Sequence, residues 1–193
     1  MRTLSFTLVV SALAVVTALP QEPSRALPYD DPDAYQIYSL LLPHEESYGF
    51  AKGTLIIQQE TVSNFAAAGA CLTPEVAKQF KDAISDYERA RTKTRLLRQH
   101  FQIEKPYEIV SKETLALVRG HGLDSWKDYY NRYPQSGGYI FLSPVGFNKK
   151  RDQAIVHTGS ICGGLCGSAQ FHLFEKVRGQ WKEVAADTCV IVS

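Results

Sequence analysis

Cys162 and Cys166 stand four positions apart in Cys162-Gly163-Gly164-Leu165-Cys166-Gly167, with His157 before them and His172 after. Residues of these types support three chemistries. A local disulfide is the first, and two glycines would relieve the backbone of so small a ring. Thiol–disulfide exchange is the second. It usually places a Cys-x-x-Cys at a helix N-terminus, where thiolate is stabilised, whereas here three residues intervene and both flanks read as strands. Zinc held by His157, Cys162, Cys166 and His172 is the third, at a spacing that matches no standard ligand pattern. The spacing favours the disulfide. His157 could act as a general base near neutral pH, but its neighbours name no nucleophile.

The elements around these residues read as strands. Apolar runs alternate with Gly, Asn and charged turns from Ser143 to Val184, the pattern of short hairpins. Ile140, Phe141, Leu142, Val145 and Phe147 suggest one strand with Pro144 inside it, which predicts an edge or a bulge. Gln153–Thr158 and Gln170–Val177 follow as strands. Arg178-Gly179 turns the chain into a fourth that begins at Trp181, since glycine adopts the positive φ of a two-residue hairpin. Strand parity puts Phe171, Leu173 and Val177 on one face, which reads as core. Gln170, His172, Phe174 and Lys176 fall on the other. His157, His172, Phe174 and Trp181 are the candidate binding surface, beside the cysteine tip.

Upstream, helices are expected to cover this meander. Gln21–Asp33 reads as a linker, and Asp33 as the cap of a helix through Leu42 that Pro43 stops. Gly53–Glu60 reads as a strand. Thr73-Pro74 starts a helix, and Val76, Phe80, Ala83, Tyr87, Ala90, Thr94, Leu97 and Phe101 follow a 3.6-residue repeat. That predicts one helix of about 40 Å. The basic run Arg89, Arg91, Lys93, Arg95 and Arg98 reads as its solvated face. Tyr107–Val110 is a short strand, Thr114–Val118 a strand or helical turn, and Asp124–Tyr130 a capped short helix.

With these residues in place, the region from about Trp126 to Ser193 resembles an uncharacterised family of secreted bacterial proteins. The matching features are Trp126, Tyr130 and Tyr133-Pro134, then Val145-Gly146-Phe147-Asn148. Cys162-Gly163 with Leu165-Cys166-Gly167 is the most specific part, followed by Lys176, Gly179 and Trp181. Ser168-Ala169-Gln170 departs from the family pattern. The resemblance implies export and a β-rich C-terminal half, and it brings no activity or catalytic residue.

Arg2 followed by the apolar stretch Leu4–Ala18 has the form of a signal peptide cleaved near Ala18. The run is short for a bilayer span, and no other approaches that length. Export would permit disulfides. Of three possible pairings, Cys162–Cys166 and Cys71–Cys189 are favoured. Lys and Arg total 21 and Asp and Glu 20, so without Arg2 the balance is 20 against 20. Such neutrality argues against nucleic-acid binding, which needs clustered positive charge. No Walker loop, Gly-x-Ser-x-Gly elbow or His-Glu-x-x-His helix occurs, and no cofactor is implied.

The sequence therefore predicts a signal peptide at 1–18, a linker at 19–33 and one α+β domain at 34–193. That domain is an antiparallel meander packed against a long amphipathic helix and shorter helices. Its expected function is non-catalytic binding of a small molecule or an envelope protein. The alternative is an extracytoplasmic enzyme, thiol-dependent or hydrolytic, using Cys162, Cys166, His157 and His172.

Overall fold

Strands from both halves of the chain meet in an eight-stranded main sheet, beside a two-stranded one, and helices cover the main sheet from both sides. The computed structural model describes residues 26–43, 53–63, 67–119, 125–184 and 190–192. In chain order the elements are β1 (Leu27–Pro28), α1 (Pro32–Leu41), β2 (Leu55–Gln58), a 3₁₀ turn (Ala68–Ala70), α2 (Pro74–Gln79), α3 (Lys81–Ala90), β3 (Arg95–Leu96), β4 (Tyr107–Val110), α4 (Lys112–Arg119), α5 (Ser125–Arg132), β5 (Tyr139–Leu142), β6 (Gly146–Phe147), β7 (Gln153–Gly163), β8 (Cys166–Val177), β9 (Gln180–Val184) and β10 (Val190–Val192). The expected signal peptide and Cys189 lie outside the described residues.

The main sheet runs β10-β8-β7-β5-β2-β4, with β6 on β7 and β9 on β8. Its C-terminal part is the antiparallel meander the hairpin pattern predicts. β2, by contrast, pairs in parallel with both β4 and β5. Its Leu-Ile-Ile-Gln is buried throughout, as suits a strand covered on both faces. Pro144 sits between β5 and β6, both of which pair with β7, so the proline interrupts no ladder.

Cross-strand register sorts the side chains onto two faces. On the first, Leu55, Ile57, Ile140, Leu142, Ala154, Val156, Phe174 and Trp181 pack against Tyr35, Ile37, Tyr38, Leu41 and Leu42 of α1 and its C-cap. On the second, Ile155, Phe171 and Leu173 pack against Phe80, Ala83 and Tyr87. Ile56, Val110 and Tyr139 on that same face pack against Leu115, Tyr129 and Tyr133 from α4 and α5 and the turn after them. Burying each large apolar side chain contributes about 1.5–3 kcal/mol before ordering costs. The expectation of an exposed sheet face is therefore corrected: both faces are core.

The single long helix is corrected as well. It breaks at Phe80, which leaves the helical region at φ −100°, ψ 18°, and it ends at Ala90. Thr92-Lys93-Thr94 is weak helix sequence, and the chain beyond it extends: Leu97 N–H donates to the Gln59 carbonyl at 2.8 Å. Phe80, Ala83 and Tyr87 serve the second face, whereas Leu97 and Phe101 serve the first. One apparent stripe thus feeds two cores on opposite sides of the sheet. α3 approaches β6 so closely that a Cβ on Gly146 would lie 2.4 Å from Tyr87 N.

Residues 26–33, expected to be linker, belong to the fold. β1 pairs in parallel with β3, and Val145 N–H donates to the Tyr29 hydroxyl at 3.0 Å. Asp31, not Asp33, caps α1 by accepting from Asp33 N and Ala34 N. Asp33 instead faces the meander. It accepts from Lys176 Nζ at 2.9 Å and Trp181 Nε1 at 3.1 Å through one oxygen, and from Arg151 Nε at 3.0 Å through the other. Burial opposes its charge, but these three donors outweigh it and hold the carboxyl below its usual value.

Candidate functional site

β7 and β8 form the longest ladder of the fold and carry most of the residues singled out from the sequence. Their register pairs Gln153 with Glu175 and continues to Ile161 opposite Gly167, then slips so that Gly163 faces Cys166. Cys162 is the extra residue of a β-bulge, which re-aims the end of the hairpin. Cys162 and Cys166 are disulfide-bonded with Cα atoms 5.1 Å apart. Beyond the bond the chain turns through Gly164, where an added Cβ would meet nothing within 4 Å. Leu165 at the turn is 92% exposed. No Lys, Arg, Asp or Glu occurs from Gln153 to Phe174, so the tip is uncharged. Helix α5 braces it: Tyr130 donates its hydroxyl to the Cys162 carbonyl at 2.7 Å.

Further down the ladder lies a polar chain on the first face. Thr158 opposes Gln170, so it sits diagonal to His172, and Glu183 opposes Phe174 on β9, diagonal to His172 from the other side. His172 Nδ1 lies 2.6 Å from Glu183 Oε1, and His172 Nε2 lies 2.9 Å from Thr158 Oγ1. Gln170 Nε2 is 3.2 Å from the same ring nitrogen. An ionised carboxylate can only accept, so Nδ1 carries a proton; in the neutral ring Nε2 then accepts from the Thr158 hydroxyl. Thr158 is 1% exposed and His172 6%, while the Glu183 side chain is 51% exposed. The carboxylate end meets solvent and the hydroxyl end is dry.

His157 is on the opposite face, since it opposes Phe171. Its ring lies 4.7 Å from that of Phe171 and 6.1 Å from that of Phe141. Burial, reinforced by the charge His172 can carry, pushes its pKa down to about 4. It is a neutral core histidine at physiological pH.

The candidate binding surface is therefore not brought together. Phe174 and Trp181 are buried against α1, His172 lies on that face within a polar chain, and His157 is on the other. The zinc set is not assembled either, because its cysteines are bonded to each other and its histidines are on opposite faces. Cys71 is disulfide-bonded; its expected partner, Cys189, lies outside the described residues. The basic run is neutralised in part by Arg89–Asp86, Arg91–Glu88 and Arg98–Asp30 pairs. Among the described residues, no helix is long and apolar enough to cross a membrane.

Sequence reading missed Thr158, Glu183 and the exposed Leu165. Glu183 carried a usable signal. The Arg178-Gly179 turn, with φ 52° and 82°, fixes Val177 opposite Gln180, and counting back puts Glu183 beside His172.

The fold and these two features define an α+β protein with a cross-linked hairpin tip and a buried hydroxyl–imidazole–carboxylate chain. No family model, curated protein or solved structure matches the chain.

Proposed function

We propose that this is an exported binding domain that docks the Cys162–Cys166 turn on a protein partner. One observation carries the reading: a disulfide ring holds Leu165 almost fully exposed on bare glycine backbone. Large apolar side chains at that exposure are informative when they are held rigidly, because a pre-organised anchor loses little entropy on binding. Disulfide bonding of Cys71, Cys162 and Cys166 suits an oxidising compartment.

Magnitude favours a protein over a lipid surface. Burying one leucine is worth about 1.5–3 kcal/mol, roughly 10–100-fold, which is too little to anchor a chain on a bilayer. On a protein, the peptide groups of Gly163 and Gly164 add hydrogen bonds at close approach. A thiol-dependent enzyme loses support, because both thiols that it would use are in the ring.

The test places a photo-crosslinking residue at position 165 of the full chain and, as a control, at Arg178 on the far turn. Irradiation in extract of the native source should give a discrete protein adduct from position 165 alone. Adducts that are absent, or the same from both positions, would remove the proposal.

A further inference from the structure

We propose that the recess between α1 and the chain just after β3 binds one ring of a neutral oligosaccharide. It holds about 330 Å³ and is lined by Asp30, Pro32, Tyr35, Gln36, His100 and Gln102. None of these belongs to the hairpin that carries Leu165, so this is a second site.

The recess is open and already formed. Asp30, Gln36, His100 and Gln102 are exposed, so a ligand reaches them without moving the core. Its two walls are tied together through Ser39, which donates its hydroxyl to the Tyr35 carbonyl at 2.6 Å and accepts from Gln102 N–H at 2.8 Å. Arg98 N–H donates to the Tyr35 hydroxyl at 2.7 Å, and the His100 ring stands edge-on to the Tyr35 ring at 5.1 Å. Binding therefore orders little that is not ordered beforehand, which favours affinity. The volume lies near the lower end of the range for small-molecule sites and suits a single small ring.

The chemistry of the lining selects the ligand class. No Leu, Ile, Val, Met or Phe contributes to it, so an apolar ligand gains little there. Asp30 supplies a carboxylate that repels an anion. Arg98 Nε lies 3.5 Å from that carboxylate, so little charge is left over to hold a cation. What remains is a balanced set of hydrogen-bonding groups. A carboxylate only accepts, each Gln amide both donates and accepts, and a neutral imidazole does one at each nitrogen. The Gln36 and Gln102 amides have no protein partner among the described residues. Vicinal hydroxyls, each a donor and an acceptor, match such a set. Pro32 and the Tyr35 ring supply apolar surface for the C–H face of a sugar.

A second, larger recess shares Asp30 and Pro32 with the first, and Tyr29 and Arg95 extend its lining. A chain of sugars can therefore run on past the first ring, which points to an oligosaccharide.

The test applies the full chain, disulfides intact, to a printed array of neutral and acidic oligosaccharides. The best-retained glycan is then titrated into isotopically labelled protein. A neutral glycan should be retained, and amide shifts should move in residues 30–36 and 98–102. Affinity should hold from about 0.05 to 0.5 M salt, because no net charge is neutralised. Gln36→Ala and Gln102→Ala replace exposed side chains and leave the core intact. Each should weaken binding about fivefold, the net worth of one hydrogen bond. Spermidine and inorganic phosphate, the charged probes, should leave these amides unmoved. No retained neutral glycan, shifts confined to other residues, an affinity unchanged in both variants, or a charged probe binding here in place of sugars overturns the proposal. None of these results touches the docking role of Leu165, which is read by crosslinking.

Discussion

Tyr130 donates its phenolic hydroxyl to the Cys162 carbonyl at 2.7 Å, joining helix α5 to the cross-linked turn. The contact fixes the tip from one side as the disulfide fixes it from within. Burial raises the pKa of that hydroxyl, so it stays a donor through neutral pH. Tyr130→Phe should lower stability by about 1 kcal/mol, the net worth of one such bond. Amide exchange in residues 162–166 should speed up at the same time. Slower or unchanged exchange there would mean that the helix does not hold the tip.

The ring itself is a small stabiliser. Five residues in the closed loop give about 2 kcal/mol by loop entropy. A Cys162→Ser/Cys166→Ser double variant should therefore remain folded, with an unfolding free energy from urea titration lowered by no more than that amount. Crosslinking from position 165 should weaken far more than stability does. Equal losses in both would make the ring a fold staple and not a device for presenting Leu165.

His157 predicts an acid limb in the stability profile. Its folded value of about 4 lies below the ordinary histidine value of 6.5, so the unfolded chain binds more protons between them. Stability is full above about pH 6.5 and falls as pH drops to 4. About 2.5 units at 1.36 kcal/mol each amount to roughly 3 kcal/mol. Urea titrations at pH 7, 5.5 and 4 should show the decline, and His157→Gln should flatten it. A limb of unchanged height in that variant assigns the loss to another group.

Asp33 ties the first turn of α1 to the meander. Asp33→Asn removes the charge that Lys176 and Arg151 face, and should cost about 1.5–3 kcal/mol, the scale of hydrogen bonds to charged groups. Because the folded carboxyl is held below its ordinary value, its contribution is present above about pH 4 and is lost as pH falls below that. The limb is thus lower than that of His157 and separable from it. Trp181 fluorescence should report α1 loosening in the variant, since the indole donates to the same carboxylate.

Much of the meander was legible because turn chemistry and strand parity are local. Arg178-Gly179 takes positive φ at both positions, and the register counted from it is the register found. The stripe from Val76 to Phe101 misled for a physical reason. A run of apolar side chains spaced three or four apart satisfies a helix, and equally a helix followed by a chain that crosses to the other face of a sheet. Nothing local at Thr92-Lys93-Thr94 forbids the helix; the crossing is imposed by pairing with Gln59 and Glu60. The polar chain was half legible. Glu183 follows from its turn, but Thr158 does not. Counting back from Gly163 opposite Cys166 puts Thr158 opposite Phe171, on the wrong face. Only the bulge at Cys162 restores it to the side of His172.

The length of the β7–β8 hairpin gives the tip a mechanical character. An outward pull applied at Leu165 would load both arms along their own axes. β5 and β6 hold one arm, and β9 and β10 hold the other. The cross-strand hydrogen bonds run perpendicular to the strands, so the load falls on all of them together in shear and cannot peel them one at a time. The exposed leucine is a point at which the molecule can be held under tension.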